Sequence, residues 1–306
     1  RPRMANSSDI VLASFIGDAL ALGPHWIYHQ KELRHRFGHI MDYMPPATAY
    51  HKGRNAGDFT HYGDQALLVL RSIAELGHFD IHHFAGLWRE FWDDPKTISY
   101  RDGATKAALA HLHSGKPVES AASMSSELAG ATRTAPLFLV KWENDASLFS
   151  AARALAAFTH ADPAVIEAAE FFARVALYVQ RGTPIPLAIE RTATLPHWKA
   201  IPMEWIEAAR LSSASSDTDS EALETHGLTC HIPDAFTGVC HLLLRHPEAP
   251  ATGLIENINA GGDSAARGMM LGLVYGAAYP VSELPAAWLG GLNAGPEITR
   301  LIAKLS

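Results

Sequence analysis

The stretch "NAGGDSAARGMMLGLVYGAAY" (259–279) decides the fold. Two glycines deliver one carboxylate, Asp263, and an apolar run follows. Gly261 and Gly262 allow positive φ or a close approach of the backbone, and they put Asp263 at or near a helix start. The run Gly268–Ser282 carries no charge over 15 residues. A membrane span needs ~20, and this run also holds Gly272, Gly276 and Pro280. It reads as a helix buried inside a soluble protein.

Working outward, the other apolar segments have the same character. "ALLVLRSIAEL" (66–76) is apolar nearly all round and predicts a buried helix. "ATKAALAHLH" (104–113) and "LFSAARALAAF" (148–158) are rich in strong helix formers. In "DPAVIEAAEFFARVALYV" (162–179), Asp162 suits the N-cap and Pro163 the first helical position. "PDAFTGVCHLLLR" (233–245) and "PEITRLIAKL" (296–305) complete the series. Alternating strand patterns with hairpin turns are nearly absent. The reading is one all-α domain over residues 9–306. Residues 1–8 read as a disordered tail, with "RPR" before Met4 as a non-native remnant.

Composition narrows the function. The chain has 306 residues, of which 48% are hydrophobic and 19% charged, with a formal net charge of −7. Its Lys and Arg residues are scattered, which argues against nucleic-acid binding. Two cysteines, Cys230 and Cys240, make neither a disulfide framework nor a CxxC pair. A reducing, cytoplasmic setting is expected, with no membrane association. "SSASSDTDSE" (212–221) reads as a solvated loop.

Polar residues concentrate in four places beside apolar helices. In "GDALALGPHWIYH" (17–29), Asp18 sits in an apolar stretch, where it either locks a turn or positions another group. Trp26 and Tyr28 suit the core or a stacking wall. In "YHKGRNAGDFTHYGDQ" (50–65), polar side chains lead into the buried helix, with Asp64 either its N-cap or a site residue. "SYRDGATKAAL" (99–109) turns at Asp102-Gly103 into a helix. "CHIPDAFTGV" (230–239) and "NINAGGDSAARG" (257–268) form the fourth. Together they predict one cleft where helix ends converge.

Five segments in this order, "GDALALGPHW", "GDFTHYGDQALLVL", "YRDGATK", "FTHADPAVIEAA" and "NAGGDSAARGMMLGLVYGA", resemble the ADP-ribosylglycohydrolase superfamily, and its J1-crystallin-like branch in particular. The resemblance covers about residues 10–280. It implies an orthogonal all-α bundle and hydrolysis of a glycosidic bond of ADP-ribose. It also implies two magnesium ions, held by a "T-D-D-T" loop and a late "D-x-D-[S/T]" motif. Here Thr60 matches the threonine, but His61 and Tyr62 stand at the two aspartates in an ungapped alignment, while a gapped one puts Asp64 on the second. Asp263 is kept, and Ala265 stands at the second late aspartate. A standard magnesium pair is therefore not expected. Thr60 and Asp263 remain for at most one weak ion, or for a site rebuilt from histidine and aspartate.

The expected chemistry is hydrolysis of an N-glycoside through an oxocarbenium-like transition state. Asp263, Asp58 and Asp64 are the candidate carboxylates, and His25 and His61 the candidate proton carriers. Trp26 and Tyr62 would stack on substrate, Asn257 and Asn259 would bond its hydroxyls, and Arg267 would pair with Asp263 or meet a phosphate. Asp18, Asp102, His231, Gly262 and Ser264 complete the substrate-facing set. The expected partner is a small-molecule or ADP-ribosylated substrate, and oligomeric state is left open. The competing expectation is a ligand-binding or crystallin-like homologue without activity.

Overall fold

The computed structural model describes residues 5–306. Among these described residues, fifteen α-helices follow one another: α1 (Ser7–Ala21), α2 (Gln30–Phe37), α3 (His61–Leu76), α4 (Ile81–Asp93), α5 (Gly103–His113), α6 (Asp145–Thr159), α7 (Pro163–Gln180), α8 (Ile185–Ala193), α9 (Met203–Ser213), α10 (Asp219–His226), α11 (Ile232–Arg245), α12 (Pro250–Ala260), α13 (Ser264–Ala278), α14 (Ala286–Gly290) and α15 (Gly295–Ala303). Among the described residues, extended pairing is limited to two isolated bridges, Ser123 with His160 and Glu127 with His231. No described helix is long and apolar enough to cross a membrane.

The helix α13 is the axis of the molecule. Its residues from Ser264 to Ala277 are all buried. Its largest contact is with α1, and glycine sets the distance between them. A Cβ added at Gly272 would fall 2.1 Å from Ala13 O, one at Gly276 2.4 Å from Asp9 O, and one at Gly17 2.0 Å from Gly268 O. The two backbones therefore touch directly, as they can only where side chains are absent. The helices α7, α11 and α12 also pack on α13.

Local signals place most helix starts. Asp162 accepts from Ala164 N, with Pro163 at the first position of α7. Asp102 accepts from Thr105 N at 2.8 Å and starts α5. Three expectations need correction. The cap of α3 is Thr60, whose hydroxyl accepts from Tyr62 N, and not Asp64. Of the expected tail 1–8, residues 1–4 lie outside the described residues, while Asn6 forms a capping box with Asp9 and opens α1 at Ser7. The polar stretch 212–221 is no simple loop: it includes the end of α9, and Thr218 and Glu221 form the capping box of α10. Arg245 holds it through the carbonyls of Ser212, Ser215 and Asp217.

Candidate functional site

The site forms where α1, α3, α5 and α13 meet. Asp18, inside α1, is fully buried. It accepts from Thr60 N at 2.8 Å and from the Thr60 hydroxyl at 2.6 Å. Burial lifts its pKa to about 7, against the lowering influence of these bonds. Asp18 thus fixes the start of α3, which delivers His61 and Tyr62.

The turn after α1 delivers His25. His25 Nε2 lies 2.7 Å from Asp263 Oδ1, and its Nδ1 lies 2.7 Å from His51 Nε2. A carboxylate only accepts, so His25 Nε2 carries the proton. Burial depresses the His25 pKa, more than Asp263 raises it, and depresses that of His51 to about 2. Both rings are then neutral at pH 7, and His51 Nε2 donates to His25 Nδ1. The result is a directed chain, His51 to His25 to Asp263. Tyr62 donates to the same carboxylate, at 3.3 Å to Oδ1. Burial and the Asp263 charge keep its phenol protonated.

A second dyad lies alongside. His61 Nε2 is 3.1 Å from Asp102 Oδ2. Burial would raise the Asp102 pKa, but the His61 bond and charge hold it well below the usual carboxylate range. His61 Nδ1 is buried and has no hydrogen-bond partner. An unmade bond of this kind is costly, and such atoms concentrate where a ligand or water belongs.

An aromatic cap closes the cluster. The Trp26 ring stacks on His25 at 4.2 Å and lies 5.3 Å from His61. Tyr50 and Tyr100 meet it edge-on at 4.7 and 5.2 Å. Trp26 has φ +68°, alone among the described non-glycine residues in the left-handed region, a strain of about 1–3 kcal/mol. Bonds from Trp26 N to Gly262 O and from Gly262 N to Ile27 O hold it there.

The ADP-ribosylglycohydrolase family model matches residues 7–306. The chain belongs to the ADP-ribosylglycohydrolase family. It is 25% identical over 297 residues to an uncharacterized protein of Archaeoglobus fulgidus, covering 96% of this chain and 94% of that one. It is 21% identical over 316 residues to Crystallin J1A of Tripedalia cystophora, covering 97% and 94%, in keeping with the J1-crystallin-like resemblance. An "ADP-ribosylglycohydrolase-related protein complex" structure shares the fold, with a TM-score of 0.71, 22% identity and 98% of each chain covered.

Within this ADP-ribosylglycohydrolase fold, several expected site residues have other duties. Asp64 pairs with Arg54 and accepts from Ser99 Oγ at 2.6 Å. Asp58 accepts from Asn55 N and from Asn293 Nδ2, tying its loop to the C-terminal segment. Asn259 clips the backbone of Ile40 from both sides. Arg267 donates to Asn257 Oδ1 and to the carbonyls of Asn257 and Gly261. It therefore braces the turn that carries Asp263, with Asn257 as its anchor, and it does not pair with Asp263. Gly262, at φ +71°, approaches the backbone of Leu228, where a Cβ would fall 2.2 Å from the carbonyl oxygen. Ser264 is buried with an unpartnered hydroxyl. His231 is exposed and faces Ser126 Oγ at 2.9 Å.

His25, His61, Tyr62, Trp26, Asp102 and Asp263 do come together, with Asp18 and Thr60 behind them. His51, Tyr50 and Tyr100 were missed by sequence reasoning. His51 and Tyr50 stood in the flagged segment 50–65, but only tertiary contact separates them from ordinary loop residues. Among the described residues, no group of three or more His, Cys, Asp or Glu side chains is arranged to hold a metal ion.

Proposed function

We propose that this family member cleaves an N-glycosidic bond of ADP-ribose or a related nucleotide sugar, and does so without a magnesium pair. The observation that carries the reading is the buried chain His51–His25–Asp263, with Tyr62 on the same carboxylate. A carboxylate fixed in a water-poor pocket stabilises a developing oxocarbenium ion far better than one in water. The histidines and Tyr62 hold Asp263 in place, and His61, oriented by Asp102, moves the proton. Its Nδ1 carries a lone pair in the neutral ring and an N–H in the imidazolium, so the free position gives or takes a proton. Substrate enters by displacing the Trp26 cap.

The donor chemistry argues against magnesium. The Thr60 oxygen is committed to Asp18 and to Tyr62 N. His61 and Tyr62 present rings at the aspartate positions, and Asp263 Oδ1 is shared by His25 and Tyr62. Magnesium demands oxygen ligands in strict octahedral array.

The likeness to Crystallin J1A favours a second reading, a homologue without turnover. Hydrolysis of ADP-ribosyl-arginine separates the two. The expectation is turnover by the wild type, a loss of about 100-fold or more in kcat for Asp263→Ala, and a rate within about twofold of wild type for Asp58→Ala. Equal rates for wild type and Asp263→Ala would overturn the assignment of Asp263. No turnover by the wild type would favour the crystallin-like reading.

A further inference from the structure

A third histidine–carboxylate pair joins the end of α6 to the segment bridged to His231. His160, just after α6, is buried, and its Nε2 lies 3.4 Å from Glu127 Oε2. Both atoms are buried, and neither makes a hydrogen bond. The pair is set by backbone on each side. Ser123 N and Oγ donate to Thr159 O, and Ala161 N donates to Ser123 O, clamping the chain around His160. Gly130 makes room for the ring, since a Cβ there would fall 2.9 Å from His160 Nδ1. Glu127 is held between the bonds from Leu128 N to Cys230 O and from Ile232 N to Ser126 O.

The segment paired with Glu127 also holds the site already described: Leu128 N donates to Cys230 O, and two residues earlier Leu228 O accepts from Asp263 N at 3.0 Å. The Tyr62 phenol and the Cys230 thiol are both pushed up, first by burial and then by the charges of Asp263, Asp102 and Glu127. Burial and Asp102 would raise the Glu127 pKa, but the closeness and charge of His160 hold it below its ordinary value. Its side chain keeps 25% exposure. With Oε2 enclosed against His160, Oε1 is the oxygen left to meet water.

We propose that Glu127 is the base that activates the attacking water and that His160 is its positioning residue. This rests on the glycosidase reading above. In the step, a water O–H bond breaks and its proton passes to Glu127 Oε1. The water oxygen bonds to the anomeric carbon. The C–N bond breaks, its electron pair stays with the leaving nitrogen, and that nitrogen takes the proton of His61 Nδ1. Proton exchange with solvent restores both side chains. Water is the only co-reactant.

The test is hydrolysis of ADP-ribosyl-arginine by wild type, E127Q, E127A and H160N, with the melting temperature of each variant measured alongside. E127Q should lose about 100-fold or more in kcat while KM stays within about threefold. Sodium azide should restore turnover to E127A and yield the ADP-ribosyl azide, because the anion attacks without needing a base. H160N should lower kcat less than E127Q does. A wild-type rate in E127Q, or a folded E127A that azide does not restore, overturns the assignment of Glu127 and leaves the glycosidase reading standing. No turnover by the wild type overturns both.

Discussion

Asp18 and Asp263 are both fully buried carboxylates that bond residues of the α3 N-terminal turn, yet they serve different ends. Asp18 accepts its hydrogen bonds from Thr60, and burial lifts its pKa to about 7. The folded state then keeps the Asp18 proton to higher pH than the unfolded chain does. Its stabilising contribution is complete below the unfolded value of 3.8 and is lost as pH rises through about 7. The shift corresponds to a few kcal/mol, at about 1.4 kcal/mol for each pH unit. Asp18→Asn should therefore flatten the fall in stability between pH 4 and pH 7, read by denaturant unfolding across that range. An unchanged pH profile in the variant would contradict the burial argument. Asp18 and Asp263 were legible as candidates because each stands alone beside an apolar run. Glu127 was not, because its partner His160 lies 33 residues away in the chain and nothing in the residues around it marks a site.

At the scale of elements, helix propensity and capping carried most of the reading. The starts of α5 and α7 follow from Asp102 and Asp162-Pro163 as local chemistry requires. The shorter helices α2, α8, α10 and α14 gave little periodic signal in so few turns, and tertiary packing decides them. The glycines of α13 have a second meaning that composition does not disclose, because they let α1 approach backbone to backbone. Gly272→Ala should cost about 1–3 kcal/mol, since its Cβ meets a carbonyl that neither helix can easily move. Gly86→Ala, inside α4 with nothing within 4 Å of the added Cβ, should instead stabilise by about 0.5–1 kcal/mol. Thermal unfolding of the two variants checks both signs. If both changes are neutral, glycine does not set the α1–α13 distance.

Across the whole molecule, the all-α class could be read from the chain and describes the structure; of the helix ends expected to converge, α3, α5 and α13 meet by their starts, whereas Asp18 comes from the last turn of α1. Asp18 meets Thr60, His61 meets Asp102, and His25 and Tyr62 meet on Asp263. The sequence did not disclose how thoroughly these groups would satisfy one another. At Thr60, His61, Tyr62 and Asp263 this chain builds a network of rings and hydrogen bonds. A cavity of about 1090 Å³ lies elsewhere, between α8 and α9. The candidate chemistry is instead sealed beneath Trp26, so neither cavity size nor surface polarity leads to it. The central claim is hydrolysis by side chains alone. Its most direct test is the rate of ADP-ribosyl-arginine hydrolysis by protein exhaustively dialysed against EDTA, measured with and without added magnesium. The account predicts the same rate in both. A rate abolished by EDTA and restored by magnesium would contradict it.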